Sequence, residues 1–427
     1  MIKQTWNLLR QEKVFSAIYI LGTGLSITVV MAMAIVFYIR IADVYPETNR
    51  SRMLIVKSGT ERLENGGWNS ASLSDAYIEA CFRSLESAEA VGAVYREWED
   101  EHYVQPEGSS LQWPVEVKHV DDGFWRVFPF RFLNGKPFGA PEFQSGLPVA
   151  VIASSLARRL FGTDEAEGRY VSLDYHPYRV CGVVKDASYA TEQTYAQLWL
   201  PYTLLPDYKG SFGESGALGH IRAYILAPSA GEVGRVKEEA LEHIRRYAAQ
   251  FDKVELSLNG QPDRHWQSAF RFWSSDDPDF GKILLQYGLI FLFLLLVPAV
   301  SLSGMTDSRM ERRLAEMGVR RAFGAPRTTL TGQIVAENFF FTLFGGIFGL
   351  LLSYLLILAG RNWIMEIGVA YVEIPPEGSE VLFTPAMLLN LPVFGMALAV
   401  CFLLNLFSAL IPAWKASHRA IVHSLNT

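Results

Sequence analysis

The chain has 427 residues, with 38 Lys or Arg against 44 Asp or Glu, and half of its residues are hydrophobic. A mean hydropathy of +0.15 is high for a soluble globule, while 19% charged residues is too many for a chain wholly buried in lipid. Composition therefore excludes a single soluble globule, a strongly basic nucleic-acid binder and, with only three Cys, a disulfide-stapled mini-protein.

The charge is unevenly placed. Residues 14–39, 283–306, 338–360 and 381–414 contain no Asp, Glu, Lys or Arg. A bilayer core takes roughly 20 mainly apolar residues as a helix, so each stretch is long enough to span. The reading is four transmembrane helices, at residues 15–39, 283–304, 337–360 and 386–411, around a large α+β domain. The first stretch follows Lys3, Arg10 and Lys13, as a signal peptide would. Its apolar run exceeds the ~7–15 residues of a signal h-region, and no small-x-small cleavage site follows, so it reads as an anchor.

Residues 40–281 form a block with 25 basic and 35 acidic side chains. Its length suffices for a core and for two subdomains. Alternation and β-branched content predict strands at 53–57, 91–95, 115–120, 149–152, 178–184, 196–200, 221–226 and 254–258. Helices are predicted at 74–85, 154–160 and 231–249, the last with Val233, Val236, Ala240, Ile244 and Tyr247 on one face. Two β-α-β units suggest a split ferredoxin-like arrangement, with a second lobe inserted at about 100–215. The run Glu99-Asp100-Glu101-His102 reads as a wet loop rather than a metal site, and Ser154-Ser155 lies in no nucleophile-elbow pattern. No catalytic or metal constellation emerges. Cys81 and Cys181 sit in apolar contexts and read as buried free thiols rather than a bridge.

The flanks set the topology. The N-terminus (residues 1–14), the loop 305–336 and the tail 412–427 are net basic, whereas the loop 361–385 carries one Arg against Glu366, Glu373, Glu377 and Glu380. Short Lys/Arg-rich segments stay inside. Both termini and the loop 305–336 are thus expected in the cytoplasm, and 40–281 and 361–385 outside. The spans hold no charge, and Gly345 and Gly349 form a GxxxG suited to close helix packing. Intramembrane charge usually marks a polar-solute pathway, so its absence favours mechanical transmission.

The loop 305–336 is the most informative stretch. Met310, Leu314, Met317 and Arg321 fall along one helix face with Arg309, Arg312, Arg313 and Arg320 around it. This is a basic amphipathic helix, read either as lying among lipid headgroups or as docking a cytoplasmic protein. It should break at Gly324-Ala325-Pro326, with Thr328 or Thr329 capping the next helix.

Arg312, Arg313, Glu316, Met317, Gly318, Val319, Arg320, Arg321, Ala322, Gly324 and Ala325 resemble the E-[IM]-G-[IV]-R-R-A-x-G-A signature of FtsX/MacB-type ABC transporter permeases. Residues 121–138 (DDGFWRVFPFRFLNGKPF), 149–162 (VAVIASSLARRLFG) and 178–188 (YRVCGVVKDAS) resemble a MacB-type periplasmic core, and the tail resembles the family ending. The resemblance implies an FtsX-like permease domain at 283–420 in the bacterial inner membrane. It also implies that Arg312, Arg313, Glu316, Met317, Gly318, Arg320, Arg321, Gly324 and Ala325 form a coupling helix seated on a cytoplasmic ABC ATPase. Charge-assisted bonds from Glu316, Arg320 and Arg321 would orient that helix. The implied partners are that ATPase, a second permease copy in a homo- or heterodimer, membrane lipids and, in some cases, a periplasmic adaptor with an outer-membrane channel. No nucleic acid is expected.

Neither Gly135-Lys136 nor Gly281-Lys282 fits a Walker A motif. The chain is therefore expected to be no enzyme itself and to bind no cofactor, ATP and Mg being held by the partner. Starting 13 residues before its first span, it reads as a stand-alone permease. The expected function is ATP-driven motion of the outer domain that exports or extrudes envelope substrates. The alternative is a non-transporting transmitter that activates a periplasmic hydrolase or senses a ligand.

Overall fold

The structure, a computed structural model, describes residues 13–96, 101–108, 110–271, 273, 276–294, 296, 319, 323 and 326–360, with scattered positions from 392 to 406. These fall into two compact units. A sheet unit lies within Ile39–Phe280, and a helical unit within Met1–Tyr38, Gly281–Ile364 and Thr384–Thr427.

The centre of the sheet unit is three antiparallel strands. Ile221–Leu226 lies between Met53–Val56 and Ala90–Tyr95, with Ile55 opposite Tyr224 and Ala223 opposite Ala93. Apart from Arg222, all three carry only apolar, aromatic or glycine residues, because both of their faces are covered. Leu54, Val56, Ala93, Ile221, Ala223 and Ile225 pack with Tyr77, Phe82, Val236 and Ala240 of the helices Asp75–Ile78 and Val233–Ala248 and the wider turn between. Met53, Ile55, Val94, Tyr224 and Leu226 pack with Phe124, Trp125, Phe128 and Trp199. Alternate side chains of a strand point to opposite faces, so a run apolar at nearly every position is the signature of burial on both.

The aromatic layer on the second face comes from the segment DDGFWRVFPF. Asp121 starts its helix, Phe124–Val127, by accepting hydrogen bonds from the Phe124 and Ala93 amides, each at 2.8 Å. Gly123 and Gly92 let the two backbones touch: a Cβ on Gly123 would lie 2.0 Å from the Val91 carbonyl oxygen, and one on Gly92 2.9 Å from the Phe124 Cα. Trp125, Phe130 and Trp199 then pack edge to face, with centroids 5.1–6.3 Å apart. Burying each such side chain contributes about 1.5–3 kcal/mol.

From Ala90–Tyr95 the sheet continues through Val117–Val120, Leu198–Pro201, Val149–Ala153, His176–Val184, Tyr170–Leu173, His102–Pro106 and Trp113–Val115. Val120 opposes Val94, so the segment after residue 100 joins the same sheet path. The single strand expected at 115–120 is two. Trp113–Val115 pairs with His102–Pro106, and Val117–Val120 with Leu198–Pro201. The chain changes partner at Glu116, whose carbonyl accepts from the Gln197 and Leu198 amides.

The helix expected at 74–85 holds α geometry only over Asp75–Ile78, capped by Ser74 Oγ on the Tyr77 amide, and widens to a π turn over Glu79–Arg83. The split ferredoxin-like reading holds for three strands and fails for the fourth. Val254–Ser257 pairs with Gly59–Leu63, which continues the first strand past a break at Lys57-Ser58. The edge of Met53–Val56 is taken instead by Asp263–Arg264. Cys81 and Cys181 are free thiols, Cys81 against the His243 carbonyl and Cys181 against that of Ala150. Burial pushes both up to about 12, which keeps them protonated and unreactive.

The helical unit contains Lys13–Ile41 and Arg327–Ala359. Two helices among the described residues are long and apolar enough to cross a bilayer, Ser16–Ile41 and Phe339–Ala359. A shorter apolar helix, Phe280–Leu294, opens the expected second span. The rest of that span and most of 386–411 lie outside the described residues. The expected threonine cap is replaced: Pro326 precedes the first helical residue, Arg327, so Thr328 and Thr329 lie inside the helix. Proline pre-sets the backbone at a helix start without needing an amide partner.

Candidate functional site at the ends of the sheet unit

The segment that follows the first helix turns back on itself and is held by a buried ion pair. Arg50 donates Nε to Glu47 Oε2 at 2.7 Å, and the two side chains are 2% and 0% exposed. The same guanidinium donates Nη1 to the carbonyl of Ile39, in the last turn of the helix Lys13–Ile41, and to that of Ala42, the residue just after it. Helix carbonyls in the last turn lack intrahelical donors, and a cation is the favoured partner there.

Glu47 completes the joint from the other side. Its Oε1 accepts from the Gln193 amide and Thr194 hydroxyl, both at 3.0 Å, and its Oε2 lies 3.6 Å from His265 Nε2. Burial alone would raise this carboxyl, but Arg50 and His265 outweigh it and hold Glu47 down at about 2. Burial pulls His265 below its ordinary value, against the opposing pull of the Glu47 carboxylate, which accepts from it.

His265 opens the short helix His265–Phe270, near the end of the sheet unit. A second buried pair sits there, where Arg271 donates Nε and Nη2 to the two Asp263 oxygens at 2.6 and 2.9 Å. Both side chains are buried. Both chain ends of the sheet unit are thus fixed by buried Arg–carboxylate pairs, and His265 links the second to the first. Sequence reading missed these residues. Apart from Arg271, they lie in polar stretches, PETNRSR and NGQPDRHWQ, where a charge is unremarkable and gives no partner without the fold.

In the helical unit, Gly349 faces Gly24: a Cβ on Gly349 would lie 2.5 Å from the Gly24 carbonyl oxygen and 2.9 Å from Ile27 Cβ. A Cβ on Gly345 would meet Thr23 Cβ at 2.9 Å. Thr28 Oγ1 donates to the carbonyls of Gly24 and Gly349, at 2.8 and 3.2 Å. Small residues that admit a neighbouring backbone, joined by an interhelical hydroxyl, make a typical contact in lipid.

The expected coupling residues Arg312, Arg313, Glu316, Met317, Gly318, Arg320, Arg321, Gly324 and Ala325 lie outside the described residues, as does Ala322. Two of their neighbours are described. The Phe323 amide donates to the Val319 carbonyl at 3.1 Å, and the two side chains are 87% and 45% exposed. Residues four apart share a helix face, so Val319 and Phe323 form an exposed apolar pair. Phe323 was not singled out from sequence, although it is the one aromatic residue of the basic loop.

The chain matches the model of the MacB-like periplasmic core domain over residues 16–243 and that of the FtsX-like permease C-terminal over 288–421. It is 25% identical over 244 residues to the macrolide export ATP-binding/permease protein MacB of Pasteurella multocida, covering 57% of this chain and 35% of that protein. It is 22% identical over 245 residues to the uncharacterized ABC transporter permease YknZ of Bacillus subtilis, covering 56% of each. The chain thus spans about a third to just over half the length of these relatives. The crystal structure of the extracellular domain of the noncanonic ABC-type transporter YknZ aligns at 16% identity and a TM-score of 0.32, covering 47% of this chain and 99% of that domain. The two matched domains define a transporter permease. The chain belongs to the MacB/FtsX-type family of ABC transporter permeases.

Proposed function

We propose that this permease couples ATP hydrolysis by a separate cytoplasmic ATPase to motion of its sheet unit, and so extrudes envelope substrates. MacB/FtsX-type permeases work with a cytoplasmic ABC ATPase, which supports the partner. The arrangement is four spans, with both termini and the loop 305–336 inside and residues 40–281 outside. Permeases pair as a dimer. The residues Arg312, Arg313, Glu316, Met317, Gly318, Arg320, Arg321, Gly324 and Ala325 dock on the ATPase, and exposed Phe323 adds an apolar anchor to that contact.

The observation that carries this reading is the pair of buried ionic joints. A domain hung on a slack linker would absorb helix movement, whereas Arg50 ties the last turn of the helix Lys13–Ile41 into the sheet unit. The test is Glu316→Ala with Arg320→Ala. The double variant inserts normally and loses stimulation of the partner ATPase; unchanged co-purification and unchanged ATP turnover refute the assignment.

A further inference from the structure

Three cations meet on one face of the sheet. Val56 opposes Ala223, so Lys57, the next residue, comes level with Arg222. Arg222 opposes Val94, Val94 opposes Val120, and Lys118 lies two residues from Val120 on the same face. In front of them is Glu192, on the loop that also supplies Gln193 and Thr194 to Glu47. Burial raises the Glu192 carboxyl, but Lys57, Arg222 and Lys118 together outweigh it and hold it below its ordinary value. The Glu192 side chain nonetheless reaches solvent. Glu192 is exposed, and Lys57, Lys118 and Arg222 are each half-buried, so the cluster opens to solvent.

The charge in this cluster does not balance. Three cations share one carboxylate, and the other acids nearby are already committed, Glu47 to Arg50 and Asp263 to Arg271. Lys57 donates Nζ to the Ser268 carbonyl at 3.2 Å, and burial pulls its pKa down. The Arg222 Nε is buried with no hydrogen-bond partner among the described residues. Uncompensated charge in a partly dry site is costly unless a counter-ion joins it. It is all the more notable in a block with 35 acidic and 25 basic side chains.

We propose that Lys57, Lys118 and Arg222 form a binding site for a phosphate group, with Glu192 as the gatekeeping carboxylate that holds the site when it is empty. The cluster has two positive charges in excess, and a phosphate monoester carries about −1.5 to −2 near pH 7, with several acceptor oxygens for cations converging from separate strands. Free phosphate and the headgroup of phosphatidic acid share this chemistry.

The test is equilibrium binding of radiolabelled inorganic phosphate to the full chain in detergent micelles. Wild type binds saturably. Lys118→Gln weakens binding about tenfold, the loss expected for one charge-assisted contact. Glu192→Gln tightens it several-fold, because the competing carboxylate is gone; a gain of affinity cannot come from misfolding. Bilayer discs separate the sources. If phosphatidic acid discs suppress phosphate binding and phosphatidylcholine discs do not, the headgroup is the ligand; equal binding in both assigns free phosphate. Absence of saturable binding by wild type overturns the proposal, as does affinity unchanged in both variants.

Discussion

Glu47→Gln is the most direct test of the ionic joint. It keeps the side-chain volume and removes one charge, leaving Arg50 2% exposed with carbonyl acceptors but no counter-ion. Removing one partner of a buried pair costs about 3–5 kcal/mol. Titration gives a second route to the magnitude. The Glu47 carboxyl stands at about 2 in the fold against about 4.3 in an unfolded chain, a gap on the order of 3 kcal/mol.

The pH dependence follows from the same gap. A carboxyl depressed by folding stabilises fully above its unfolded pKa, because the unfolded chain takes up the proton first. That stabilisation is lost as the pH falls from about 4.3 toward 2. Glu47→Gln has no such loss, so its deficit relative to wild type is full at pH 7 and shrinks through the acid range. Thermal unfolding of the full chain in micelles, followed by tryptophan fluorescence, measures both; Trp199 is buried in the same unit. A companion variant, Glu47→Leu with Arg50→Met, recovers part of the single-variant loss, since an apolar pair no longer strands a charge. The reasoning is refuted if Glu47→Gln unfolds within about 1 kcal/mol of wild type at pH 7, or if its deficit does not shrink in acid.

Two further outcomes are expected. Gly349→Leu forces apart the helices that meet at Gly24 and lowers thermal stability in micelles by about 1–3 kcal/mol. Gly332→Ala on the same helix, where an added Cβ meets nothing within 4 Å, does not; equal effects sink the packing argument. A reporter fused near Ser110 reads outside and one near Ala315 reads inside, and the reverse result overturns the topology.

Most of the fold's parts were legible because burial leaves a local mark. Uncharged runs announced the helices Ser16–Ile41 and Phe339–Ala359, and the mainly apolar run IRAYIL at 221–226 marked a strand with the same bounds as the one found. Strands that carry polar or small side chains left no such mark. Thr60, Glu61 and Arg62 pair with Ser70, Asn69 and Trp68 in a hairpin whose periodicity resembles a loop. Glu61 is buried, its carboxylate accepting from the Glu214 and Ser215 amides, a satisfaction supplied by residues about 150 positions away.

By itself, then, the sequence determined that this chain combines membrane-length helices with a charged α+β unit, and its motifs marked the permease family. These are local quantities: hydropathy over one span, and residue types at fixed spacing. Only the tertiary structure decided which charges matter. Glu47, Arg50, Asp263, His265 and Arg271 look like ordinary surface residues when read along the chain. Folding removes them from water, where each charge must find a counter-charge, and the partners it finds join a helix end to a sheet.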